Sequence, residues 1–324
     1  MSAMRNSSFE LLRIILILMI LVEHANMWFI GSGYHSESEH LAKCIVESVC
    51  IGGVNAFVLI SGWFGMRGDL KKIVDLMFML LFCTVPLLLV ALWLKWIPIS
   101  ALASADGVYE YVFGGGGYWF VVDYIGLLII SPVLNYGIER LDKRQFSRIL
   151  LAGYALILLY DFVLREPVLG SEGGYSVLWF GFLYLLARYI RSYGIGRIMR
   201  FRWPILIMAV SLQSLLFFGG FIGLRYTNPL ILLEAVCLIF IFRNWNFRSK
   251  AINTVAAGVL MAYLLHMQPV LIPYIRMFLG AQYAALGYWQ YMLQAVALSV
   301  AVLFVAVLFD KVQSTLLKKI RECL

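Results

Sequence analysis

Residues 9–30 read FELLRIILILMILVEHANMWFI. An apolar run of this length matches the ~20 residues an α-helix needs to cross roughly 30 Å of hydrocarbon. It is too long for a signal-peptide core and lacks a small-x-small cleavage site, so it is expected to persist as a helix. Comparable runs follow near 42–64, 73–94, 118–137, 146–164, 175–190, 203–221, 227–242, 252–275 and 288–309, of which 252–275 contains Pro269 and Pro273, residues able to break or kink a helix and so to shift the count. The reading is an all-α, polytopic integral membrane protein of about ten transmembrane helices. It is expected to be a single domain over residues 1–324, with no separate soluble domain. Composition points the same way: 62% of residues are hydrophobic and 14% charged, against about 25% charged in a soluble domain. Most of a folded surface in water cannot be that apolar, whereas lipid solvates it.

Loop charge sets the orientation. With the N-terminus inside, 20 of the 26 Lys and Arg fall in alternate loops on the cytoplasmic side, among them Arg5, Arg67, Lys71, Lys72, Arg188, Arg191, Arg243 and Lys311. Only Lys43, Lys95, Arg165, Arg225 and Arg276 fall outside, and Arg13 lies within the first helix. Cytoplasmic loops of membrane proteins carry an excess of Lys and Arg, so both termini are expected in the cytoplasm. The net charge of +8 thus follows membrane topology, and no nucleic-acid partner is expected. Cys44, Cys50, Cys83, Cys237 and Cys323 show no metal-ligand spacing. They read as small hydrophobes, and no metal is expected.

Ionisable groups at membrane depth are costly, so they mark candidate function. Glu10, Arg13, Glu23, His24 and Asn26 interrupt the first run. Arg13 and His24 are eleven residues apart, three turns plus about 20°, so they share one face at about 16 Å along the axis. Arg13 is then on the cytoplasmic side and His24 toward the outer leaflet. Bland readings stand beside this one: Arg13 snorkelling to phosphates or pairing with Glu10, and His24 bonding to a neighbouring helix. Glu23 points about 100° away from His24 and reads as rim-facing. His266, Asp123 and Glu234 fall at a similar outer depth, and a histidine oriented by a carboxylate is what proton abstraction from a hydroxyl needs. Asn55 and Ser61 on the second helix read as interhelical hydrogen bonders or as substrate contacts.

The stretch Arg5-Asn6-Ser7-Ser8-Phe9-Glu10-Leu11-Leu12-Arg13, with His24 ten intervening residues after Arg13, resembles the opening of the membrane-bound acyltransferase-3 family. Asn55 to Gly62, Tyr118-Trp119-Phe120, Ser131-Pro132-Val133-Leu134-Asn135, Gly174-Tyr175-Ser176 and Tyr263-Leu264-Leu265-His266 continue the likeness along most of the chain. The resemblance implies an O-acyltransferase, commonly an O-acetyltransferase. The donor would be cytosolic acyl-CoA such as acetyl-CoA, and the acceptor a hydroxyl of a surface or exported saccharide. It implies that Arg13 engages the donor and that His24 acts near the transferred acyl group. Where the family carries a basic motif after the second helix, this sequence has only Arg67 with Lys71 and Lys72, the further candidates for donor binding. Polysaccharide biosynthesis at a bacterial inner (cytoplasmic) membrane is the expected setting, and a homo-oligomer is left open. The rival readings are a proton-coupled glycan or lipid transporter or flippase, a membrane glycan polymerase, and a sensor in which His24 and Arg13 are dispensable.

Overall fold

The computed structural model describes residues 6–164 and 172–323. Arg5 and Arg165, which entered the charge count, and the side chain of Cys323 lie outside the described residues. The structure is 81% helix, with no strand among the described residues. In chain order the helices are α1 (Ser8–Glu23), α2 (Glu37–Cys50), α3 (Gly53–Phe64), α4 (Leu70–Trp93), α5 (Ala105–Phe113), α6 (Trp119–Ile138) and α7 (Lys143–Leu158). They continue as α8 (Val177–Tyr193), α9 (Arg202–Phe218), α10 (Pro229–Phe242), α11 (Lys250–Ala257), α12 (Val259–His266), α13 (Ile272–Ala285) and α14 (Tyr288–Cys323).

Helix starts follow local chemistry. The side chains of Ser36, Ser104, Ser176 and Ser249 each accept a backbone N–H from the first turn of the helix that follows. Asp142 and Gln145 form a reciprocal capping box, and Asn228 caps α10 ahead of Pro229. Such caps satisfy donors that would otherwise be orphaned, which matters most where lipid offers no substitute.

Six helical segments among the described residues are long and apolar enough to cross a membrane: Glu37–Phe64, Leu70–Trp93, Gly115–Ile138, Lys143–Leu164, Arg197–Phe218 and Tyr288–Glu322. The last five of these expose apolar side chains. Leu89, Trp93, Ile129, Val133, Leu151, Ile207, Leu293 and Phe304 are all exposed, a surface suited to hydrocarbon and not to water.

Three sequence expectations are corrected. The expected helix over 252–275 stops at His266, and a separate helix, α13, begins at Ile272. Pro269 has no N–H to continue the first helix, while Pro273 falls in the first turn of the second, where a missing N–H costs nothing. Consequently most of the expected external loop around Arg276 is helical. Lys43 is not in a loop either: the Ser36 cap starts α2 early, and Lys43 is fully buried on it, its Nζ 3.8 Å from Glu39.

The chain divides into two compact units. The first comprises Met1–Gly33, described from Asn6, with Leu70–Val121 and Arg248–Leu324; the second comprises Tyr34–Asp69 and Val122–Phe247. In the first unit, α1 packs against α11, α12 and α14, and α12 against α14 and α4. Ser7 ties the start of α1 to α11, donating to Asn253 Oδ1 at 2.7 Å and accepting the Ser249 N–H at 2.9 Å.

In the second unit α3 lies between α8 and α10, and α9 packs on α2 and α10. Gly62 permits the α3–α8 approach, because a Cβ there would sit 2.7 Å from the Tyr184 carbonyl oxygen and 2.8 Å from Ala187 Cβ. Backbone cannot retreat as a flexible side chain can. Gly62→Ala is therefore expected to lose about 1–3 kcal/mol, read as a lowered thermal midpoint of the detergent-purified protein. An unchanged midpoint would refute this packing account. Beyond α3, Met66 accepts from Asn135 Nδ2 at 2.7 Å and donates its N–H to Tyr184 Oη at 3.1 Å, which fixes the turn carrying Arg67.

Candidate active site

Helix α1 runs unbroken from Ser8, and His24 keeps helical dihedrals (φ −62°, ψ −38°) before the chain widens into a π turn over His24–Trp28. The eleven-residue spacing therefore places Arg13 and His24 near one azimuth of a continuous helix.

The surroundings of His24 define its tautomer. Its Nδ1 lies 2.7 Å from a Glu23 carboxylate oxygen and 2.8 Å from the Ile20 carbonyl oxygen. Both neighbours only accept, so Nδ1 carries a proton and donates. In the neutral ring, Nε2 then holds the lone pair, and among the described residues it makes no hydrogen bond. An imidazole with one nitrogen held by a carboxylate and the other open is the arrangement of an oriented general base.

His266, at the end of α12, stands edge-on to His24 with ring centres 5.0 Å apart. Its Nδ1 is 3.2 Å from the Ala262 carbonyl, so by the same reasoning Nδ1 donates. Its Nε2 is buried without a hydrogen-bond partner among the described residues. The α12 end is fixed from both sides: Tyr118 donates to the Leu264 carbonyl at 2.6 Å, and Tyr263 donates to that of Gly117 at 2.8 Å. The π turn is anchored to α14, where Tyr288 donates to Asn26 Oδ1 and Tyr291 to the Ala25 carbonyl, each at 2.7 Å. Trp28 and Phe29 complete the wall beside His24, with ring centres 5.4 and 6.1 Å away.

Toward the other end of α1, Arg13 Nη1 donates to both Glu10 carboxylate oxygens at 2.9 and 3.0 Å. The pair leaves the other guanidinium N–H groups of Arg13 without hydrogen-bond partners among the described residues. Lys71 and Lys72 are exposed at the start of α4 in this first unit.

The remaining candidates belong to the second unit. Arg67 is exposed on the turn after α3. Asn55 is fully buried and satisfied, donating to the Tyr226 carbonyl at 2.8 Å and accepting from Trp179 Nε1 at 2.9 Å, which makes it a fastener of α3 to α8. Ser61 bonds to Tyr124 Oη at 3.1 Å and back to the Phe57 carbonyl at 3.3 Å. Glu234 is buried on α10 against the α2–α3 break, where a Cβ on Gly52 would come within 2.4 Å of its carboxyl carbon. Asp123 lies near the start of α6. Among the described residues, no group of three or more His, Cys, Asp or Glu is placed to hold a metal ion.

Set beside known proteins, residues 6–311 match the profile of the family Acyl_transf_3, described as an acyltransferase domain. The chain belongs to the acyltransferase-3 family. No curated protein sequence and no solved structure matches it. The family match covers nearly the whole chain, both structural units included, so the apolar helices are those of a multi-pass membrane acyltransferase.

Sequence reasoning missed Glu23 in this acyltransferase. Adjacent residues on a regular helix diverge by about 100°, which argued for the rim. Instead the Glu23 side chain curls to its neighbour where the helix turns from α to π, and the carboxylate reaches Nδ1. The available signal was the adjacency itself: Glu23-His24 inside an aliphatic run, where two ionisable groups at membrane depth are expected to pair.

Proposed function

We propose that the chain is an O-acyltransferase, transferring acetyl or a similar short acyl group from cytosolic acyl-CoA to a hydroxyl of a surface or exported saccharide. In this reading it crosses a cytoplasmic membrane about ten times with both termini inside. The charge distribution along the chain supports that orientation. The observation that carries the reading is the Glu23–His24 pair with His24 Nε2 open.

The acceptor O–H gives its proton to His24 Nε2 as its oxygen attacks the thioester carbonyl carbon. A C–O bond forms, the C–S bond breaks, and the departing CoA sulfur takes the proton back from Nε2. Transfer through an acyl-imidazole is the second route through the same atom. Glu23 holds the imidazole and offsets the positive charge it gains. Arg13, with Lys71 and Lys72 of the same unit, supplies cations to the donor's phosphates. The spacing along α1 suits a donor whose thioester lies at the far end of a long arm from its phosphates. Arg13 is at one end of that helix face and His24 about 16 Å along it.

The test is release of CoA thiol from acetyl-CoA, and from longer acyl-CoAs, by purified protein with and without saccharide acceptors. Mass spectrometry of surface glycans with and without the gene accompanies it. Acceptor-dependent thiol release and loss of an acyl-sized mass are expected. Proton-dependent uptake of glycan with no acyl-CoA consumed would overturn the reading.

A further inference from the structure

At the His24 end of α1 stands a cation that the mechanism above does not use. Arg276 lies about one turn into α13, and its guanidinium carbon is 4.3 Å from the centre of the Trp28 ring. That same indole is a wall of the His24 site, its ring centre 5.4 Å from that of the imidazole. Two successive contacts thus join the guanidinium to the candidate base through one side chain. All three residues belong to the first unit. Both Arg276 and Trp28 are exposed, Trp28 by 40%. The helix that carries Arg276 is tied to the chain beyond the π turn, because Tyr283 donates its hydroxyl to the Gly33 carbonyl at 3.2 Å.

Arg276 makes no ion pair and donates no hydrogen bond among the described residues. A cation–π contact holds the side chain in place and leaves most of its five N–H donors open. Loop charge does not account for it either. In the orientation proposed above this end of α1 is external, where Lys and Arg are sparse. An anchor to lipid headgroups would reach away from the bundle, whereas Arg276 lies against the indole that lines His24. A guanidinium held in place with its donors free is what recognises a carboxylate or a phosphate.

We propose that Arg276, held over Trp28, is the subsite for an anionic group of the acceptor. The saccharide to be acylated then carries a carboxylate or a phosphate close to its reacting hydroxyl. This rests on the acyl-transfer reading above. An acidic sugar and a phosphate-substituted one present the same chemistry to the guanidinium, and the experiment separates them.

Cells lacking the gene are complemented with the wild type, Arg276→Gln or the charge-keeping Arg276→Lys, and their surface glycans are fragmented by tandem mass spectrometry. The acyl ester is expected on a fragment whose mass includes a carboxylate or a phosphate, which names the anion. Arg276→Gln is expected to lower the acylated fraction about tenfold, and Arg276→Lys to lower it less. Both purified variants should keep the wild-type thermal midpoint and bind acetyl-CoA as the wild type does. An ester confined to neutral fragments, or an acylated fraction that Arg276→Gln leaves unchanged, would overturn the subsite while acyl transfer stands. So would a Gln variant whose only loss is phosphatidylglycerol retained on the purified protein, since the anion would then be a lipid headgroup. A thermal midpoint that falls in step with acylation in both variants would make Arg276 a structural residue and overturn the subsite too. If deleting the gene removes no acyl-sized mass, the acyl-transfer reading itself fails.

Discussion

His24→Ala is expected to lower acyl transfer by about a thousandfold, the middle of the range for loss of a general base. The loss should appear in kcat, with KM for acyl-CoA little changed, because the candidate donor cation Arg13 lies three turns away on α1. Folding should survive. The Ile20 carbonyl that His24 Nδ1 contacts also accepts the His24 backbone N–H, so removing the ring does not orphan it. Isosteric substitution separates catalysis from structure: His24→Asn can still donate toward Glu23 and Ile20 but has no counterpart of Nε2. It should be as inactive as the alanine variant and at least as well folded. If folded His24→Ala and His24→Asn proteins, checked by size-exclusion chromatography and thermal midpoint, transferred acyl groups at near wild-type rates, His24 would not be the base.

What the sequence discloses about this molecule depends on which physical constraint is written locally. Membrane crossing is: lipid demands long apolar helices, and α1, α4, α6 and α9 follow closely the runs that hydropathy marks, while α14 starts with its run at Tyr288 but continues past residue 309 to Cys323. The alignment of Arg13 with His24 is local as well, since the helical period fixes it once α1 is continuous. The end of α12 at His266 was foreshadowed by Pro269 and Pro273, although the separate helix α13 was not. Contacts between helices are of another kind. Depth along the membrane put His24 and His266 at one level, but only the packing of α1 on α12 brings their rings edge to face. Asp123 and Glu234 passed the same depth argument and belong to the second unit. Depth does not specify azimuth.

Glu23 carries the second large effect. Its carboxylate contact at 2.7 Å fixes which His24 nitrogen is protonated, and its charge faces the ring that becomes cationic when the acceptor proton arrives. The other groups around that ring are His266, edge-on at 5.0 Å, and the apolar rings of Trp28 and Phe29. Glu23 is thus the negative group placed to offset the developing imidazolium from within the first unit. Glu23→Gln can keep an accepting oxygen near Nδ1 but removes the charge, and kcat is expected to fall roughly ten- to a hundredfold. Glu23→Leu removes the acceptor too and should fall further, toward the His24 variants. Glu23→Asp keeps the charge one methylene farther back and should recover part of the loss. A purely structural role would behave differently, lowering yield and thermal midpoint in step with side-chain size and leaving kcat per folded molecule unchanged. The discriminating comparison includes Asp123→Asn and Glu234→Gln. Should either reduce kcat more than Glu23→Gln while all three proteins fold, the carboxylate that serves His24 would not be Glu23.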